Sequence, residues 1–256
     1  MDKLFLQERL GKIIEIIQNQ GRVSVSELSE RFGVSPVTVR NDLANLERKG
    51  LINRTHGGAV VRSESYQEPA FLLRKELHSK EKELIGKKAA EYIHDGDSIA
   101  LDASTTAWHI AHNIKDRQDL TVLTNGLFIA IELSDSPGIT VVMPGGMLRP
   151  GSTSLVGDIG AVMLESLHIQ KAFFGAWGLT IQEGLTDLNQ YEVELKKLLV
   201  EKSKEVIAVV DASKWGQVAF TTFAQLDQVN RIITNSTAPN DMVLTIRECG
   251  IEVTLV

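Results

Sequence analysis

Residues 23–60, VSVSELSERFGVSPVTVRNDLANLERKGLINRTHGGAV, decide the reading of the N-terminal part of this chain. Just before this stretch, Leu10, Ile13, Ile14 and Ile17 recur at helical spacing, and Gly21 supplies a stop signal. Inside it, a second short helix starts after Ser24 or Ser26 and carries Leu28 and Phe32. Gly33-Val34-Ser35 then predicts a tight turn. Ser35 is a good N-cap, and Pro36 suits the first helical position because its missing N–H would have no intrahelical partner there. The third helix is expected from about Pro36 to Lys49, ending at Gly50. Helix, glycine-containing turn, helix is the outline of a helix-turn-helix unit.

The helical wheel of the third helix separates two faces. Val39, Leu43 and Leu46 fall on one side, at i, i+4 and i+7. The other side carries Val37, Asn41, Ala44, Asn45 and Arg48, with Thr38 and Arg40 on its flanks. Side chains of these types read base edges or hold phosphates. Beyond Gly50, Leu51-Ile52-Asn53-Arg54 and Ala59-Val60-Val61 alternate as short strands around Thr55-His56-Gly57-Gly58. Such a hairpin would be a wing, bringing Arg54 and His56 to the DNA backbone or minor groove. A three-helix packing unit with a merely solvated polar face would give the same pattern.

A chain of 256 residues has room for a small domain and a medium one. Its hydrophobic fraction of 43% and charged fraction of 23% are those of an ordinary globular protein, so disorder is not the expectation. The single cysteine, Cys249, excludes an internal disulfide framework and a Cys-rich zinc site. No apolar run approaches the ~20 residues of a membrane span. The first residues, MDKLFLQERLGK, are charged and lack the apolar core of a signal peptide, so a cytoplasmic protein with no membrane partner is expected. The net charge of −6 is unevenly spread. Residues 1–62 hold 10 Lys/Arg against 7 Asp/Glu, and the remainder 17 against 26. A mildly basic head on an acidic body fits contact with phosphates at one end only, although an asymmetry of this size also arises by chance.

Residues 63–70, SESYQEPA, read as a linker, and Phe71 to Ile93 as one connecting helix dense in Lys and Glu. Its apolar stripe is Leu77, Leu84, Ile85, Ala89 and Ile93. From Asp95 onward, short β-rich runs alternate with helical segments. Strands are expected at 98–102, 120–124, 140–143, 171–175, 205–210, 231–234 and 252–256, and helices at 106–114, 127–133, 159–167, 191–202 and 242–249. The alternation predicts an α/β domain with an open, mostly parallel sheet covered on both faces. Ligands of such sheets gather at the carboxyl ends of the strands, where strand order reverses.

Polar and small residues cluster at those ends. Asp102-Ala103-Ser104-Thr105-Thr106 closes one strand and opens a helix whose N-terminus favours an anion. Thr124-Asn125-Gly126 repeats the arrangement; Gly145 and Gly146 follow the third strand, Gly175 and Gly178 the fourth. Glu192 and Lys196 lie four apart on one helix face, and Asp211-Ala212-Ser213-Lys214 ends a later strand with a carboxylate and a cation. Taken singly, these are also what caps, turns and a surface i,i+4 pair look like.

The first stretch resembles the DeoR-type winged helix-turn-helix along its whole length. The pattern V-S-x-x-E-L, F-x-V-S, T-[IV]-R-x-D-L and L-x-R-x-H-G-G-A is nearly complete, with Asn41 where many members carry a second arginine. Residues 75–256 resemble the DeoR sensor domain through D-x-[GS]-[ST]-T, T-N, G-G-x-x-R, F-x-G-x-x-G, E-x-x-x-K and D-x-S-K-[FW]-G. In that family Phe71 and Arg74, with the Glu81-Lys82 pair, lie where reader joins sensor. Ser104 stands where many members have Gly, and Ala176-Trp177 where smaller residues are usual; Trp108-His109 is also unusual.

The resemblance implies a winged helix-turn-helix over residues 1–62, a linker and connecting helix over 63–94, and a ribose-5-phosphate-isomerase-like α/β sensor over 95–256. It implies a transcription regulator, most often a repressor in this family, with operator DNA as partner, a phosphorylated sugar or sugar-alcohol phosphate as effector, and no cofactor or metal. The DNA set would be Ser35, Val37, Thr38, Arg40, Asn41, Asn45, Arg48, Arg54 and His56. The effector set would be Asp102, Ser104, Thr105, Thr106, Asn125, Gly145, Gly146, Gly175, Gly178, Glu192, Lys196, Asp211 and Lys214. Two-fold related half-sites would require a homodimer or homotetramer. The competing reading is a sugar-phosphate isomerase with an accessory head, using Glu192, Asp187, Asp211, Lys196 and Lys214 for proton transfer. It is disfavoured because a complete reading head has no purpose there. A ligand-free architectural protein would leave the second domain unexplained.

Overall fold

A computed structural model describes residues 6–48, 52–61 and 71–256. The expected helix stop at Gly50, the strand start at Leu51 and the linker at 63–70 lie outside these residues. The chain divides into two compact units, Met1–Ser79 and Lys80–Val256.

The first unit contains α1 (Leu6–Gln20), β1 (Arg22–Ser24), α2 (Val25–Phe32), α3 (Pro36–Arg48), β2 (Ile52–Thr55), β3 (Gly58–Val61) and α4 (Phe71–Glu76). The polar signals of the sequence act locally. Ser24 caps α2 by accepting from Glu27 N at 3.1 Å, and Ser35 accepts from Thr38 N at 3.1 Å at the start of α3. Between them Gly33, in the left-handed conformation, closes α2 with its N–H on Glu30 O and Ser29 O. The three strands form an antiparallel sheet in the order β1-β3-β2; the pairing of β1 with β3 was not foreseen. Gly58 makes that pairing possible, because a Cβ there would lie 1.8 Å from Val23 O. Leu10, Ile13, Ile14, Ile17, Leu28, Val39, Leu43 and Leu46 fill the core, with Leu73 of α4 against it.

A buried ion pair joins two helices of this unit. Arg9 Nε and Nη2 donate to Asp42 Oδ2 at 2.6 Å and Oδ1 at 3.1 Å, with both residues buried. The pair ties α1 to α3 from the side opposite the face expected to meet DNA, and gives the Asp of the T-x-R-x-D-L pattern a structural task.

The expected single helix from Phe71 to Ile93 is instead two, α4 and α5 (Ser79–Ala90). His78 takes a positive φ of 50°, which a right-handed helix cannot propagate, and Ser79 begins the next helix. Of the expected stripe, Ile85, Ala89 and Ile93 are buried, whereas Leu84 faces solvent.

The second unit continues with β4 (Ser98–Leu101), α6 (Thr105–His112), β5 (Leu120–Thr124), α7 (Leu127–Leu133), β6 (Ile139–Val142), β7 (Met147–Arg149), β8 (Ser154–Val156) and α8 (Asp158–Leu164). Then follow β9 (Ile169–Phe174), β10 (Gly178–Thr180), β11 (Gly184–Asp187), α9 (Gln190–Glu201), β12 (Ser203–Val209), β13 (Thr221–Ala224), β14 (Arg231–Thr234), α10 (Asn240–Glu248) and β15 (Glu252–Leu255). Seven strands form one parallel sheet in the order β15-β14-β12-β9-β4-β5-β6. Successive residues face opposite sides, so Phe174 packs beneath α9 and α10 while its neighbour Phe173 packs beneath α5 and α6. Both faces are buried, as the apolar strands required. The β7–β8 hairpin and the antiparallel β10-β11-β13 sheet are additions whose short strands escaped the sequence reading. The chain winds outward in one direction from β4 and in the other from β9, so the switch point lies between these neighbours.

Asp42→Ala takes from the buried Arg9 the carboxylate that accepts two of its N–H groups, and should cost about 3–5 kcal/mol in urea unfolding of the first unit. The double change Arg9→Met with Asp42→Leu should recover most of that loss. Equal losses in the single and double variants would show that the pair's charges are not what the site requires.

Candidate functional site

In the first unit, Val37, Arg40, Asn41 and Arg48 are exposed along α3, and Thr38, Ala44 and Asn45 are half-buried. Val37 is 62% exposed, an apolar side chain left uncovered at the start of the helix. Ser35 Oγ lies 2.9 Å from Thr38 Oγ1, so these two serve the helix cap as well as its outer surface. Arg54 and His56 are exposed on the β2–β3 hairpin, and Arg54 Nη1 lies 3.7 Å from Glu47 Oε2. The apolar face of α3 is spent on the core, and the face left outside is the one with hydrogen-bonding and cationic groups.

In the second unit, the residues expected at the strand ends come together at the switch point. Asp102 follows β4, where Oδ1 accepts from Ser104 N at 3.2 Å and Oδ2 from Gly175 N at 3.0 Å. Ser104 caps α6, accepting from Ala107 N at 3.1 Å, and Thr105 and Thr106 are buried in its first turn. The loop after β9 is pressed against this turn: a Cβ on Gly175 would lie 2.5 Å from Ser104 Cβ. Gly178 has the same constraint, with Gln217 O 2.2 Å from the position of a Cβ.

Glu192 and Lys196 are both buried on α9, yet they do not pair with each other. Lys196 Nζ donates to Gly175 O at 2.9 Å and Asp187 Oδ2 at 2.6 Å, and lies 2.9 Å from Asp102 Oδ2. Burial opposes the ammonium, but Asp102 and Asp187 outweigh it and hold its pKa above the ordinary lysine value. Three acceptors match the three protons of an ammonium, so Lys196 orders the site as a fully engaged cation. One turn earlier, Glu192 accepts from Asn125 Nδ2 at 3.1 Å, from Arg149 Nη1 at 3.0 Å and from Ser154 Oγ. Asn125 also holds the β7–β8 hairpin, through Leu155 O at 3.1 Å and Leu155 N at 2.8 Å.

Farther along the strand ends, Asp211 accepts from Ser213 N at 2.9 Å, and Lys214 Nζ sits 4.8 Å from the centre of the Trp177 ring. Gly145 and Gly146, both at positive φ, lead from β6 into the hairpin. Three participants lie outside the expected effector set, although the isomerase reading names Asp187. Arg149 closes the G-G-x-x-R pattern, Asp187 ends an unforeseen strand, and Asn235 Oδ1 accepts from Ala212 N at 2.7 Å. The signal for Asn235 was present, since Thr234-Asn235 repeats Thr124-Asn125 at another strand end. No group of His, Cys, Asp and Glu with metal-binding geometry occurs among the described residues. No helix among them is long and apolar enough to cross a membrane.

A winged helix-turn-helix head of this kind defines a DNA-binding regulator rather than an enzyme. The DeoR-like helix-turn-helix domain matches residues 9–65, and the DeoR C terminal sensor domain matches residues 77–236. The HTH-type transcriptional regulator YulB of Bacillus subtilis (strain 168) is 38% identical over 99% of this chain and 98% of its own length. The glycerol-3-phosphate regulon repressor of Escherichia coli (strain K12) is 32% identical over 97% of this chain and 98% of its own. Among solved structures, ribose 5-phosphate isomerase A from Methanocaldococcus jannaschii aligns with a TM-score of 0.41 at 17% identity, over 54% of this chain and 55% of that one. The chain belongs to the DeoR family of DNA-binding transcriptional regulators.

Gly175→Ala tests the close approach of the two loops. Overpacking at this point should lower stability by about 1–3 kcal/mol in urea unfolding followed by circular dichroism. A variant as stable as the parent would mean that the Ser104 turn yields to a methyl group without cost.

Proposed function

We propose that this regulator represses genes of carbohydrate metabolism, and that a phosphorylated sugar or sugar-alcohol phosphate modulates its affinity for operator DNA. The observation that carries the effector reading is the switch-point cluster. A capped helix N-terminus, buried carboxylates that organise it and a rim lysine above an indole stand at the place where open parallel sheets bind ligands. The effector set is Asp102, Ser104, Thr105, Thr106, Asn125, Gly145, Gly146, Gly175, Gly178, Glu192, Lys196, Asp211 and Lys214. Within it Asp102, Glu192 and Lys196 position the loops, and the first turn of α6 together with Lys214 meets the anion. The name of the Escherichia coli relative, a glycerol-3-phosphate regulon repressor, supports the ligand class.

On the DNA side, α3 enters the major groove with Val37, Thr38, Arg40, Asn41, Asn45 and Arg48, steadied by Ser35, while Arg54 and His56 of the wing follow the backbone or minor groove. Two heads on two-fold related half-sites require a homodimer or homotetramer. Coupling between the sites is reciprocal, so DNA and effector change each other's affinity by one factor, typically worth about 1–3 kcal/mol.

Arg40→Ala should weaken operator binding by about 1–3 kcal/mol in a gel-shift titration if the guanidinium reads a base; unchanged binding would remove Arg40 from the reading set. A thermal-shift panel of glycerol 3-phosphate, ribose 5-phosphate, glucose 6-phosphate and fructose 6-phosphate, each beside its unphosphorylated parent, tests the effector class. A ligand at 100-fold its Kd should stabilise the native state by about 2.7 kcal/mol, and Lys214→Ala should reduce that response. Stabilisation by a parent sugar and its phosphate alike would argue against an anion-anchored sensor.

A further inference from the structure

The ionic cluster is short of available positive charge. Lys196 has all three protons engaged by Gly175 O, Asp187 and Asp102. A phosphate ester entering beside it meets a group of carboxylates, Asp102, Asp187 and Glu192, whose lone pairs repel it. Among the described residues, Arg149 is a further cation tied to this cluster, through Glu192.

Arg149 is built to change partners. Its side chain is 18% exposed while that of Glu192 is 7% exposed, so Arg149 is the more accessible member of the pair. Glu192 has two further donors, Asn125 Nδ2 at 3.1 Å and Ser154 Oγ, and it keeps both if the guanidinium leaves. It would not be stranded as a bare buried charge, which is what makes breaking most buried ion pairs costly. Glu192 also stands one helical turn from Lys196, which places Arg149's present partner next to the rest of the cluster.

We infer that Arg149 is the second cation of the effector site, held in reserve by Glu192, and that the ligand's phosphate takes the guanidinium from the carboxylate. This inference rests on the reading of the cluster as a site for a phosphorylated ligand. A planar fork of N–H donors suits two oxygens of a phosphate ester, which a lysine meets only as a point charge. Because Arg149 is the last residue of β7, the exchange carries the end of this hairpin strand with it. The hairpin is not part of the seven-stranded ladder, and a bridge between Ser154 and Gly126 joins it to the loop after β5.

The test uses the full chain as wild type, Arg149→Gln and Glu192→Gln, titrated calorimetrically. The probes are the phosphate ester that stabilises wild type most among the four named above, its unphosphorylated parent, and inorganic phosphate. Arg149→Gln should weaken the ester and inorganic phosphate by about ten-fold or more, the scale of a lost charge-assisted hydrogen bond. Glu192→Gln removes the competing charge and should tighten both relative to the parent sugar measured on the same variant. Weakening in both variants would mean that Arg149 only fastens the hairpin, and would overturn the inference. Wild-type affinity in Arg149→Gln would overturn it too, leaving the phosphate reading intact. Failure of every ester to bind wild type would instead overturn that reading, and the inference with it. Were Arg149→Gln to unfold, the sign of the change in Glu192→Gln would still decide.

Discussion

The ammonium of Lys196 draws three separate parts of the sensor onto one point. Asp102 closes β4, the carbonyl of Gly175 lies just past β9, and Asp187 ends β11. These groups are far apart in sequence and gain a common centre only through a cation delivered by α9. Sealing a lysine in a protein interior is costly unless its hydration is replaced in full, and here each proton is matched by an acceptor. The carboxylates are organised in return: Asp102 turns toward Ser104 N and Gly175 N, and so sets the loop that opens α6. The loop between β4 and α6 is therefore held in place by groups buried beneath it.

Much of this was legible because the decisive signals are local. Ser24, Gly33 and Ser35 terminate helices by rules that act within a few residues, and the spacing of Val39, Leu43 and Leu46 chooses the buried side of α3. The seven parallel strands announced themselves as apolar runs separated by helices. The small sheets did not: β7, β8 and β10 are three residues long, too short for alternation to register. The break at His78 depends on a left-handed backbone conformation in a residue other than glycine, which periodicity does not report.

At the strand ends, most of the polar residues were legible in the sequence but their relations were not. Glu192 and Lys196, four apart on a helix, look like an i,i+4 pair, yet each turns to a different neighbour. Asp42 sits inside the pattern of the reading helix but faces inward to Arg9. A residue's place in a motif reveals its company along the chain; which way its charge points is decided by whatever the fold brings opposite.

The strand order has a consequence for how the protein is made. Ala100 in β4 pairs with Ala172 in β9, so the centre of the sheet joins segments some seventy residues apart. In the head, by contrast, β1 and β3 meet across fewer than forty, with Arg22 opposite Val60. Closing long loops before the pairing repays them makes the larger unit the slower one to form. Translation from the N-terminus widens the gap, since the helix-turn-helix emerges whole while the middle of the sheet still lacks half its strands. During each round of synthesis, then, the reading head exists before the unit attached to it.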